Sequence, residues 1–164
     1  MVQNYAFIDG QNLNLGVQDL GWKLDFKKFR VYLREKYKVE KSYYFIGYMV
    51  GMSDLYASLQ SYGYILIFKP TLKKPDGSVK GNCDAELVLQ TMIEFDKYEQ
   101  AIIVSGDGDF ACLVKYLNEK GKLRCLLVPN AQKCSALLKK PSAGKMVFLD
   151  GLRGKLEYKM KRPP

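Results

Sequence analysis

Four aspartates stand where carboxylates could act together: Asp9, Asp84, Asp107 and Asp109. Asp9 closes the apolar run YAFI within FIDGQN at 7–12, and Asp107 and Asp109 follow the run AIIVS within SGDGDF at 105–110. Ligands of open α/β sheets gather beyond the carboxyl ends of strands, where the strand order reverses. If the strands ending at Asp9 and Ser105 are neighbours there, Asp9 and Asp107 face each other, with Gly106 and Gly108 allowing a sharp turn and close approach. Asp84 lies in KGNCDAELVLQ. With Asn82 as N-cap, Asp84 and Glu86 fall in a first helical turn, where the helix dipole stabilises negative charge and the Asp84 carboxylate points out of the helix end. Carboxylates that converge in one cleft repel one another and rise in pKa unless a cation neutralises them. A divalent ion does so, and it can also activate water, orient a phosphate and stabilise a leaving oxygen. Each aspartate alone has a plainer explanation: a turn at Asp9-Gly10, a dipole partner at Asp84, caps at Asp107 and Asp109 for a helix near Phe110. Their joint placement favours a metal site.

The rest of the composition narrows the chemistry. There is no histidine, so Ser-His-Asp and Cys-His catalysis, HExxH zinc sites and imidazole acid–base work are excluded. A carboxylate-only site suits hard cations such as Mg2+ and Mn2+. The net charge of +9 suits a polyanion partner. It is uneven: residues 133–164 carry nine Lys or Arg against Asp150 and Glu157. Clustered aspartates on a basic protein suggest phosphodiester hydrolysis. Cys83, Cys112, Cys125 and Cys134 form no CxxC pair and read as reduced, mostly buried thiols. No apolar run is long enough for a membrane span, and the N-terminus lacks a secretory pattern. We expect no membrane contact and a cytoplasmic location.

These residues need a scaffold. Short apolar runs at 5–8, 43–48, 64–68, 101–105 and 124–128, with a shorter one at 146–149, suit strands of a parallel sheet covered on both faces. Helical stripes alternate with them: Phe26, Phe29, Leu33 and Tyr37; Leu87, Val88, Met92 and Phe95; Phe110, Leu113, Val114 and Leu117. The expectation is one α/β domain, a doubly wound parallel sheet of about five or six strands with helices on both faces. It spans residues 1–150, and 151–164 form a basic C-terminal helix or tail. Segments 70–81 and 129–145 read as long, basic loops. Asn12 could donate to a phosphate, orient a metal-bound water, or cap a helix starting at Leu13. Lys80 could contact an RNA backbone or simply keep its loop soluble. Tyr5, Tyr43, Tyr44, Tyr48, Tyr62 and Tyr64 could stack on bases, although core packing is the expected role for most.

The combination FIDGQN, KGNCDAELVLQTM at 80–92 and SGDGDF, in this order and spacing, resembles the NYN domain family of PIN-like metal-dependent ribonucleases, including its LabA-like branch. The resemblance runs over about residues 3–150. It implies strand order 3-2-1-4-5, metal binding by Asp9, Asp84 and Asp107 with Asp109 as a further acidic member, and motif roles for Asn12 and Ser105. Family members often carry a second aspartate about two turns into the Asp84 helix, and Gln90 stands at that position here.

The leading expectation is a Mg2+- or Mn2+-dependent endoribonuclease. Asp9, Asp84, Asp107, Asp109 and Asn12 would form the site. Asn12 and Ser105 would orient substrate, while Lys73, Lys74 and Lys80, with basic residues of the C-terminal region, would grip the phosphates of RNA. The rival readings are an RNA-binding module without catalysis and a small-molecule phosphatase, which the lack of a GxxxxGK[ST] cradle disfavours. A surface helix could pair two copies into a homodimer.

Overall fold

The computed structural model describes residues 3–77, 79–80 and 82–160, with only the backbone of Val79 and Lys80. The Lys80 side chain, Lys161 and Arg162 therefore lie outside the described residues. The elements run β1 (Asn4–Asp9), α1 (Gly10–Asp19), α2 (Phe26–Tyr37), β2 (Val39–Tyr48), α3 (Ser53–Ser61), β3 (Tyr64–Pro70), β4 (Leu72–Lys73), β5 (Val79–Lys80), α4 (Asp84–Ile93) and β6 (Ala101–Val104). They continue with α5 (Ala111–Glu119), β7 (Leu123–Val128), α6 (Lys139–Ser142), β8 (Met146–Phe148) and α7 (Arg153–Leu156).

One parallel sheet has the order β3-β2-β1-β6-β7-β8. Order reverses between β1 and β6, where Tyr5 to Ile8 pair with Ala101 to Val104. Alternation along β1 feeds two cores. Ala6 and Ile8 join Leu13, Phe29, Leu33 and Leu59 beneath α1, α2 and α3. Tyr5 and Phe7 join Leu87, Leu113, Val114 and Leu117 beneath α4 and α5. Each fully buried aliphatic or aromatic side chain contributes about 2 kcal/mol of transfer free energy. Burial on both faces of the central strands explains why their sequences read as unbroken apolar runs. The buried Asn4 ties three strands at their starts. Its Nδ2 donates to Tyr37 O at 2.7 Å, and its Oδ1 accepts from Gln100 N at 3.1 Å.

Several local expectations need correction. β2 begins at Val39 rather than Tyr43, because the mixed segment VEKS pairs with Asn4–Ala6 through a register shift between Asn4 and Tyr5. The loop at 70–81 contains an antiparallel pair, β4 and β5, joined through a turn in which Gly77 N donates to Lys74 O at 2.9 Å. The loop at 129–145 contains α6 and two 3-10 turns. On α4 the buried positions are Leu87 and Thr91, whereas Met92 is exposed and Phe95 lies beyond the helix. Of the cysteines only Cys125 is buried, and Cys112 is exposed. At the C-terminal side Leu156 is buried, Asp25 N donates to Leu156 O at 2.8 Å, and Leu24 bridges Glu157.

Candidate metal centre at the strand-order reversal

The backbone places Asp9 and Asp107 by the same device. Each ends a strand-borne segment in extended conformation and caps the helical turn that follows. Asp9 caps α1, its Oδ1 accepting from Asn12 N at 3.2 Å. Asp107 caps the 3-10 turn Gly108–Phe110, its Oδ1 accepting from Asp109 N at 2.9 Å. Between them sits the buried Ser105. Its hydroxyl donates to Asp9 Oδ2 at 3.1 Å and accepts from Asp107 N at 3.0 Å. Asn12 Oδ1 accepts from Gly106 N at 2.9 Å, tying α1 to the loop after β6.

Asp84 arrives from the third direction as the first residue of α4. The cap position is Cys83 rather than Asn82, and the Asn82 side chain instead accepts from Asp84 N at 2.7 Å. The helix expected to begin at Leu13 begins at Gly10, so Asn12 does not cap it. Gly10 fits because no side chain could: an added Cβ would stand 2.6 Å from the Tyr44 ring and 2.7 Å from Phe45 O.

Asp9, Asp84 and Asp107 are half-buried, and one carboxylate oxygen from each lies within 4.8 Å of the others. Burial raises the pKa of Asp9, opposed by the bonds from Asn12 and Ser105 and reinforced by the charge of Asp107. Burial also pushes Asp84 up to about 6; its bond with Asn82 opposes this, and the charges of Asp107 and Asp9 add to it. Asp84 Oδ2 is buried without a hydrogen-bond partner. A buried oxygen left unsatisfied among like charges is the electrostatic signature of a place for a cation. Three carboxylate oxygens fit a hard divalent ion.

The other expected residues are distributed unevenly. Asp109 is exposed at the rim beside Asp84, and it adds to the rise in the Asp84 pKa. Lys73 and Lys74 are exposed on the β4 side of the hairpin, outside the lining of the cleft. Gln90 donates to Glu94 Oε1 at 3.1 Å. Tyr5, Tyr43, Tyr44 and Tyr64 are buried, while Tyr48 and Tyr62 are exposed.

The three aspartates open into a cleft of about 800 Å³. Leu15, Met49, Met52 and Leu55 line its apolar side, and Lys23 and Lys133 also line it. Lys133 pairs with Asp19 at 3.5 Å. Nothing in the sequence marks Lys23 for the cleft, because a lone lysine between Trp22 and Leu24 carries no spacing signal. A profile for the NYN domain matches residues 5–145. The chain belongs to the NYN domain family. It is 28% identical over 127 residues to Low amplitude and bright protein LabA of Synechococcus elongatus, covering 70% of this chain and 67% of that protein. That match supports the LabA-like branch of this PIN-like nuclease family. The crystal structure of a protein of unknown function from Vibrio parahaemolyticus has the same fold. Its TM-score is 0.74 at 21% identity, over 90% of this chain and 93% of that one. Among the described residues no helix is long and apolar enough to cross a membrane.

Proposed function

We propose that this NYN domain is a Mg2+- or Mn2+-dependent endoribonuclease that acts in the cytoplasm. One observation carries the reading: three aspartates from separate elements converge to within 4.8 Å, and one of their oxygens is buried and unpaired. Asp9, Asp84 and Asp107 would hold the ion. When bound, it supplies Lewis-acid polarisation of a phosphate and a lowered pKa for water.

The chain's own groups do the remaining work. The Ser105 hydroxyl fixes the orientation of the Asp9 carboxylate. Asp109, exposed beside Asp84, is placed to accept a hydrogen bond from the attacking water. Asn12 uses its oxygen on Gly106, which leaves its amide nitrogen to donate to a phosphate oxygen. The apolar side of the cleft takes a nucleobase, and Lys23 and Lys133 meet its phosphates. Lys73 and Lys74, with Lys80, would hold the strand outside the cleft. Residues 1–150 form the catalytic domain and 151–164 a basic C-terminal extension.

Gln90, engaged with Glu94, favours one alternative, an RNA-binding module without turnover. A matched assay separates the two. Wild type and Asp9→Asn/Asp107→Asn protein are given labelled single-stranded and structured RNA with Mg2+, Mn2+ or EDTA. The proposal expects metal-dependent cleavage that falls at least about 100-fold in the variant. RNA retention by both proteins, with no cleavage by either, supports the module. Cleavage that survives the double substitution overturns the aspartate mechanism.

A further inference from the structure

Beyond the cleft, a row of exposed cations follows α2. Lys28, Tyr32 and Lys36 stand four residues apart and so share one stripe of that helix. The segment after α7 runs beside it. Tyr158 N donates to Lys23 O at 2.8 Å, and Lys28 Nζ donates to Glu157 O at 3.0 Å. Cations sit over rings along the whole seam. Lys23 Nζ is 4.9 Å from the Tyr158 ring and Lys155 Nζ is 5.2 Å from the Tyr32 ring. Lys36 Nζ is 5.6 Å from Tyr32 and 5.7 Å from Tyr37, and the Arg124 guanidinium is 5.5 Å from Tyr37.

The row has direction. Lys23 lines the metal cleft, whereas Arg124 lies near the start of β7 at the opposite end of the sheet. Successive members on α2 are about 6 Å apart. Tyr32 and Tyr37 are buried, so they hold the cations in place rather than offering faces to bases. Among the described residues Lys23, Lys28, Lys36, Arg124 and Lys155 form no ion pair. Three carboxylates, Asp25, Glu35 and Glu157, stand near the row, and Glu157 pairs with Arg153 at 3.1 Å, so the five cations remain in excess. Exposed cations in excess over carboxylates create a positive potential along the seam, which a polyanion relieves.

We infer that this seam is a track for the sugar–phosphate backbone of single-stranded RNA leading into the cleft. A row one cation wide suits one extended strand, and contacts to phosphates alone make it indifferent to sequence. The identity of the polyanion rests on the RNA reading above; the track does not require catalysis.

The test is binding in EDTA of labelled oligouridylates of about 4 and about 16 nucleotides. Wild type is compared with Lys36→Gln/Arg124→Gln/Lys155→Gln and with a control of equal charge loss on the α4–α5 side, Lys97→Gln/Lys115→Gln/Lys120→Gln. Losing three phosphate contacts on a single strand flattens the slope of log affinity against log salt by about 2. The track variant should bind the longer oligomer about tenfold more weakly at low salt, bind the shorter one within about twofold of wild type, and leave the control unchanged. Equal affinity of wild type and track variant for the longer oligomer, or equal weakening by the control, overturns the track alone. If wild type holds neither oligomer, the RNA reading fails and takes the track with it. Single substitutions, each lowering the slope by about 0.7, carry the same test if the triple variant unfolds early.

Discussion

Asp84→Asn should stabilise the metal-free protein and abolish its response to metal. The wild-type carboxylate is held at about 6 against an ordinary 3.8. Its folded form therefore binds the proton more tightly than its unfolded form, and stability falls as pH rises from about 3.8 to about 6. The full gap corresponds to about 3 kcal/mol. Asp84 keeps contact with solvent, which screens the interaction and leaves about 1 kcal/mol. Asparagine mimics the protonated acid, so the variant should melt about 3 °C higher than wild type in EDTA at neutral pH. The difference should shrink below pH 6 and vanish near pH 4. With Mn2+ at a hundred times its dissociation constant, wild type gains about 2.7 kcal/mol, and the variant should gain almost none. Melts followed by circular dichroism at several pH values, with and without Mn2+, read all of this. If the variant in EDTA at neutral pH is no more stable than wild type, or if Mn2+ still raises its melting temperature, the reasoning about a cation-seeking carboxylate is refuted.

Further substitutions probe the supports of the site. Asn12→Ala removes the acceptor of Gly106 N and should cost about 1–2 kcal/mol in urea unfolding. It should also weaken Mn2+ binding measured by calorimetry, since the loop bearing Asp107 loses its tie to α1. Gly10→Ala forces a methyl group against the Tyr44 ring and Phe45 O, with an expected loss of about 2–3 kcal/mol; a neutral result in urea would mean that β2 yields easily. Lys122 Nζ donates to Phe95 O at 2.7 Å and Tyr98 O at 2.5 Å, so Lys122→Met should cost about 2 kcal/mol while leaving RNA cleavage unchanged.

Much of this was readable in the chain because the signals are local. Asp9 and Asp107 follow apolar runs directly, so strand ends and carboxylates are read from the same few residues. The burial of both sheet faces kept β1, β6 and β7 as plain apolar blocks. Where position depends on distant partners, the sequence was silent. The start of β2 at Val39 is set by pairing with Asn4, not by its own polar residues. Asn12 looks like a helix cap in isolation, and only the approach of Gly106 from across the sheet shows its use. Lys23 and Lys133 reach the cleft through the docking of separate segments. The motif spacing pointed to Asp84, but the cap position is Cys83, and Asn82 Oδ1 accepts from Asp84 N from outside the helix.

The three aspartates differ in what else they do. Asp9 and Asp107 each accept a backbone amide that begins a helical turn, so folding alone gives reason to keep an acidic or amide side chain there. Asp84 accepts no backbone amide among the described residues, and its buried oxygen is a liability without a cation. The informative position for sorting working from silent descendants of this scaffold is therefore Asp84. A copy that had given up its chemistry could retain Asp9 and Asp107 as architecture indefinitely, but it would be relieved of a burden the first time Asp84 drifted to a neutral residue.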